Sequence, residues 1–424
     1  MFNTRAFIEK IARHIWVSYW FIPALILLIS LLMVPTTLAL DRLLADSVEF
    51  DFILLIKTQP DSAQALLSTI AGSIIGIAGV SFSITIVAVS FASGAFGPRS
   101  IGNFMRDRGN QTCLGVFIGP FLYALLILGA VQSGGEVTTS NQAISEFVPH
   151  LSISVSVGLV IICMFSFIYF IHHVPETINI ERIIARLGDA LKNEVSARFP
   201  NLDTERETPS GIDPNWVETV DTEKMVDIKY VAEGYVQAID MHTLRRLADD
   251  NGLLIKIVKR PGAFVTTHST IMCVYADSEC NNTLKKELSA CVATGDVRTI
   301  NQNVEFIADQ LIEIIARALS PGVNDPFSAI ACLNWLQVGI LAFAETDEGD
   351  KKESVGRLYA APLQFDEFVT AIFEKAIPYI WSDENVTRHT RMILSFIEKE
   401  MESDTHIKAI SKALKKLDSR THID

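Results

Sequence analysis

The chain has 424 residues, 49% hydrophobic and 20% charged, with a mean hydropathy of +0.30. That is too apolar for an ordinary soluble protein and too charged to lie wholly in a membrane, so membrane and water-exposed parts are both required. The net charge of -13 sets the molecule against polyanions, so nucleic acid is not an expected partner and only local basic patches can meet anionic lipid.

Residues 1–14 carry Arg5, Lys10 and Arg13 against Glu9 and precede an apolar run, residues 15–40, interrupted by Pro23 and Pro35. A cleaved signal peptide has an apolar core of only about 7–15 residues, so this run reads as a retained membrane helix, kinked at Pro23. Trp16, Tyr19 and Trp20 sit where an aromatic belt anchors a helix end. Residues 41–65, holding Asp41, Asp46, Glu49, Asp51 and Asp61, read as a loop with a short interfacial element.

A second helix is predicted over residues 66–93, a stretch without a charged side chain. Gly72, Gly76, Gly79 and Ser83 recur there at helical spacing, with Ser90 a further two turns on. Two readings of this small-residue face are open. It packs closely against another membrane helix or another subunit, or, with Ser73, Ser81 and Thr85, it lines a conduction path in an oligomer. Arg99, Arg106 and Arg108 follow in a short loop, where they enforce topology or contact lipid phosphates.

A third helix is predicted over residues 113–132 and a fourth over 151–171, separated by a loop that has Glu136 and Glu146 but neither Lys nor Arg. The bases therefore lie on one side, and four spans with both termini on that side satisfy the count. The second, third and fourth spans contain no Asp, Glu, Lys, Arg or His, which disfavours a proton-coupled pump.

Beyond His172, His173 and Pro175, the residues Ile180, Ile183, Ile184, Leu187 and Leu191 recur at helical spacing in an amphipathic helix, and residues 199–222 read as a linker. Residues 223–298 have alternating strand-like runs, a helix capped by Asp240, and two strands joined at Pro261 and Gly262. Residues 299–424 turn helical. Val304, Ile307, Leu311, Ile314, Ile315 and Ala318 form an apolar face opposite Glu305, Asp309, Glu313 and Arg317. That helix ends at Ser320, Pro321 and Gly322. Asn324 or Asp325 then caps the next, with Pro326 in its first turn, and two further helices close the chain after residue 343. The fold class expected is an α-helical membrane domain with four transmembrane helices (1–173), a juxtamembrane segment (174–222) and a cytoplasmic α+β domain made of a β/α module (223–298) and a helical module (299–424).

The segments SGAFGPRSIGNFMRDRGNQTCLGVFIG, EGYVQAID and IARALSPGVNDPFSAIACL resemble a family of bacterial integral membrane proteins known as domain of unknown function 2254. The resemblance implies an inner-membrane protein with four N-terminal spans and a cytoplasmic domain, and no activity, so it carries no functional residue over.

The six cysteines show no CxxC pair, and no P-loop, dinucleotide fingerprint, nucleophile elbow or HExxH helix is present, so neither a metal finger nor the common enzyme chemistries are expected. The His172, His173 and Glu176 group reads as a polar helix end or a metal site, and the Glu305, Asp309 and Glu313 row as a solvated face or a cation site. The corner containing Ser320, Gly322, Asn324 and Asp325 reads as a tight turn or as a site for an anion or a partner. The expectation is a non-enzymatic, homo-oligomeric protein of the inner membrane without cofactor, a channel or transport-related protein regulated by its cytoplasmic domain. The alternative is a membrane-anchored sensor or scaffold that binds a ligand or protein, and a membrane-associated enzyme is the weakest reading.

Overall fold

A computed structural model of the chain describes residues 18, 20–45, 58–96, 107–132, 147–198, 216, 225–230, 233–275, 281–300, 302–346, 354–355, 357–361 and 363–419. The chain divides into two compact units, Met1–Arg182 and Ile183–Asp424.

The first unit is a bundle of α1 (Phe21–Ala45), α2 (Pro60–Phe96), α3 (Arg108–Ala130) and α4 (His150–Thr177). Pro23 falls in the first turn of α1, where a missing N–H costs nothing, so it begins the helix rather than kinking it. The helix runs on through Asp41 and Arg42 to Ala45, and α2 starts at Pro60, six residues before the apolar run, so much of the expected loop is helical. At 37 residues α2 is about 55 Å long, well beyond a hydrocarbon core of about 30 Å. The bundle core contains Leu67, Ile74, Phe117, Tyr123, Ile127 and Ile153, with Phe117 meeting Phe170 edge to face at 6.4 Å.

α5 (Ile180–Arg198), which leads into the second unit, buries Ile184, Leu187 and Leu191 of the predicted stripe, leaves Ile180 and Ile183 half-buried, and adds Val195. The strands are β1 (Val226–Lys229), β2 (Gly234–Ile239), β3 (Leu254–Ile257), β4 (Phe264–Val265), β5 (Thr270–Tyr275) and β6 (Val292–Gly295). Among them lie α6 (Met241–Asp250) and α7 (Asn282–Ala290). Asp240 caps α6 as expected, its carboxylate accepting from the Thr243 N–H at 3.0 Å. The module does not close on its own residues: β7 (Ser354–Val355) and β8 (Leu358–Ala360) complete a sheet ordered β1-β5-β3-β8-β7, with β8 parallel to β3. A second sheet is ordered β4-β2-β6.

The helical part comprises α8 (Val304–Ala318), α9 (Pro326–Thr346), α10 (Phe365–Ile380), α11 (Glu384–Glu400) and α12 (Asp404–Asp418). All six apolar residues predicted on α8 are buried. Three helices, not two, follow α9 among the described residues. Among the described residues, five helices rather than four are long and apolar enough to cross a membrane: α1 to α4, and α9. The periodicity of α9 hid it, because its apolar residues run all round the helix. More than half of its apolar stretch is buried inside the second unit (56%), against 17–44% for the other four.

Candidate functional site

The sequence singles out α2, and the structure separates its two sides. Ala63, Leu67, Ile70, Ile74, Ala78, Ser81, Thr85, Ala88 and Ala92 recur every three or four residues and are buried in the bundle. Gly72, Gly76, Gly79, Ser83 and Ser90 lie on the opposite side and are exposed, flanked by exposed Ile75, Val80, Phe82, Ile86 and Val87. A Cβ added at Gly72, Gly76 or Gly79 would have no atom within 4 Å. Among the described residues of the first unit, no helix packs against the small face. The hydroxyls also divide: Ser83 and Ser90 face outward, whereas Ser81 and Thr85 are buried, with Thr85 Oγ1 donating to the Ser81 carbonyl at 2.8 Å.

Close packing by small residues occurs instead on α3. A Cβ at Gly115 would sit 2.6 Å from Ile26 Cδ1, and one at Gly119 2.5 Å from Ser30 Oγ, so this GxxxG pair lets α1 approach backbone to backbone. The Gly115–Gly119 spacing is present in the sequence, but it is shorter than the glycine series on α2 and does not stand out beside it.

Each end of the bundle carries a polar cluster, buried at the Asp41 end and partly exposed at the other. At one end Asp41, on α1, caps α4 from outside that helix: it accepts from the N–H groups of Leu151 (2.7 Å) and Ser152 (3.0 Å) and from the Ser152 hydroxyl (2.6 Å). Tyr123 Oη lies 2.9 Å from Thr37 Oγ1 beside it. An acid assigned to a loop thus belongs to a membrane-class helix, at its end.

At the other end Asp107 caps α3 through the Asn110 N–H at 3.0 Å and meets His173 Nε2 at 2.8 Å, while Tyr169 stacks on the His173 ring. Asn110 is buried with both amide atoms unpartnered among the described residues. Arg108 is the exposed first residue of α3 rather than a loop residue; Arg99 and Arg106 lie outside the described residues.

His172, His173 and Glu176 do not converge. His172 Nε2 lies 3.7 Å from Glu176, which is also bonded by Arg182 at 2.9 Å, while His173 turns to Asp107. In the second unit, Asp309 is held between Arg298 (2.7 Å) and Lys375 (2.6 Å), so it belongs to an ion-pair network rather than to a solvated row. Glu313 pairs with Arg317 at 3.7 Å, as i, i+4 spacing predicts.

At the α8–α9 corner Asp325 is the cap, accepting from the Ser328 N–H at 3.2 Å and its hydroxyl at 2.5 Å. Asn324 takes the left-handed conformation, φ 48°, that reverses the chain. The Asp325 carboxylate thus occupies the N-terminus of α9.

Helices of this length and hydropathy, several of them joined in one bundle, define a membrane protein. A family described as Predicted membrane protein (DUF2254) matches residues 16–395, and the chain belongs to that family. Uncharacterized proteins of Mycobacterium tuberculosis and Mycobacterium bovis are each 25% identical over 313 residues. The match covers 72% of this chain and 57% of each relative, so the chain spans little more than half the length of these curated relatives. No solved structure matches the chain.

Proposed function

We propose that this protein is a subunit of an oligomeric channel or transport-related assembly of the bacterial inner membrane, with α2 facing the path and the second unit regulating it from the cytoplasm. The observation that carries the reading is the outward small-residue face of α2. In hydrocarbon such a face gains little from lipid, and it allows either close approach of another copy or a water-lined wall of hydroxyls and backbone. No acid or base lies in α2 between Asp61 and the end of the helix, which supports passive passage over proton coupling.

The orientation, with both termini in the cytoplasm, is supported by the positions of Arg5, Lys10, Arg13, Arg99, Arg106 and Arg108. The contacts of Asp41 with Ser152 and of Asp107 with His173 support alternating helix directions, as four spans require. In this reading α9 is a core helix of the second unit and not a fifth span, because its apolar surface is largely satisfied by its neighbours. The protein acts without catalysis.

The test is reconstitution of the full chain into liposomes with a flux assay for ions and small osmolytes, combined with thiol labelling of Gly76→Cys, Ser83→Cys and Ser90→Cys. Labelling by a water-soluble reagent at these three sites, and block of flux by it, is expected. Absence of flux under every gating condition together with labelling restricted to lipid-soluble reagents would remove the reading. A membrane-anchored sensor is the second reading, favoured by the separate core of the two sheets around Ile255, Met272 and Val274.

A further inference from the structure

The α8–α9 corner exposes large apolar side chains where an ordinary helical turn is polar: Phe327 is 81% exposed and Val323 50%. Most of its backbone N–H groups are already used or missing. Pro321 and Pro326 have no N–H, the N–H groups of Val323 and Asn324 donate to the Ser320 carbonyl at 3.1 and 3.0 Å, and that of Asp325 donates to the Ala318 carbonyl at 2.8 Å. Fewer N–H groups are therefore orphaned here than in an ordinary loop when the turn enters the headgroup region, where water still reaches its carbonyls.

The same end of the helical part carries more interfacial side chains. Ser382 Oγ donates to the Leu319 carbonyl at 3.5 Å, tying the α10–α11 turn to the corner. Trp381 Nε1 donates to the Leu417 carbonyl at 2.9 Å, tying that turn to the end of α12. Tyr379, 46% exposed, and exposed Lys415 thus share the end with Val323 and Phe327. An aromatic side chain and a lysine beside an apolar tip make the pattern of a surface that meets lipid headgroups.

We propose that this corner docks on the lipid bilayer, inserting Val323 and Phe327 at the boundary between headgroups and acyl chains. The exposed apolar area of the tip is about 300 Å², well short of the roughly 800 Å² per partner that a stable protein interface buries. Asp325, Asp383 and exposed Glu384 keep their negative charge, since the first two only accept hydrogen bonds from neutral donors, so the tip has no preference for anionic lipid and docking rests on apolar insertion. The inference stands independently of the channel reading.

The experiment places the photo-crosslinker p-benzoylphenylalanine at Phe327 in the full chain, reconstituted into phosphatidylcholine vesicles. The same probe at Thr405, on the first turn of α12 and so at the opposite end of that helix, is the control. After irradiation, a lipid adduct is expected on the peptide containing position 327, at least about tenfold more abundant than at position 405 and unchanged in high salt. A crosslinked dimer, no adduct, or equal adducts at both positions overturns the proposal.

Discussion

The carboxylate of Asp41 accepts hydrogen bonds from both the backbone N–H and the hydroxyl of Ser152, 111 positions away, at 3.0 and 2.6 Å, and so closes the N-terminus of α4. The first N–H groups of α4 have no partner within the helix, and Pro149 before it offers no side-chain cap. An acid from α1 supplies what the local sequence lacks.

Asp41→Ala is expected to destabilise the first unit by about 2 kcal/mol, the cost of orphaning buried N–H groups, while Asp41→Asn, which keeps one acceptor, loses less than half as much. Thermal or denaturant unfolding of the detergent-solubilised protein measures both. An Ala variant as stable as the wild type would show that α4 is capped by other means.

Gly119→Leu should cost about 1–3 kcal/mol, because its side chain must occupy the place of Ser30 and Ile26 on α1. Gly76→Leu has open space and should leave the unfolding midpoint of the monomer nearly unchanged, while lowering flux or oligomer yield if the proposed role of α2 holds. Equal destabilisation by both would mean that the α2 face is packed after all.

Asp240 is held below the usual carboxylate range, first by the backbone N–H of Thr243 and also by its hydroxyl, against an opposing desolvation. Its pKa is lower folded than unfolded, so the stabilisation is fully present above the unfolded value of about 3.9 and disappears as pH falls through the folded value. Asp240→Ala should therefore lower the protection of α6 amides by about 1 kcal/mol at neutral pH and make no difference in strong acid. Hydrogen exchange across the pH range is the measurement, and a pH-independent effect would contradict the capping account.

Asp309→Asn should destabilise the second unit by about 1–2 kcal/mol, since it leaves the partly buried Arg298 without its charge partner. Lys375→Ala, removing the more exposed partner, should cost about 0.5 kcal/mol or less. If the two losses were equal, Asp309 would be no more than a surface charge.

Much of the architecture was legible because local rules suffice for it. The apolar stripes of α5 and α8, the Asp240 cap and the Glu313–Arg317 pair depend on residues within one or two turns, where helical geometry leaves no choice of partner. The closure of the sheet by Leu358–Ala360 was not legible, since its pairing with Ile255–Ile257 joins segments about a hundred residues apart and a three-residue strand has too few side chains to show alternation. The uniform hydropathy of α9 likewise cannot distinguish a membrane span from a helix enclosed by neighbours.

For α2 the division is sharpest. Composition and spacing alone determine that it is an uncharged, membrane-class helix with a face of glycine and serine, because length, charge and the 3.6-residue period are properties of the chain itself. Which side turns inward was decided only by the tertiary structure. Ala63, Leu67, Ile70 and Ile74 supply the contacts that fill the space beside α3 and α4, and the glycines on the opposite side are left facing outward. Apolar residues surround the helix, so burial is settled by which side chains interdigitate, and that depends on neighbours the helix does not encode.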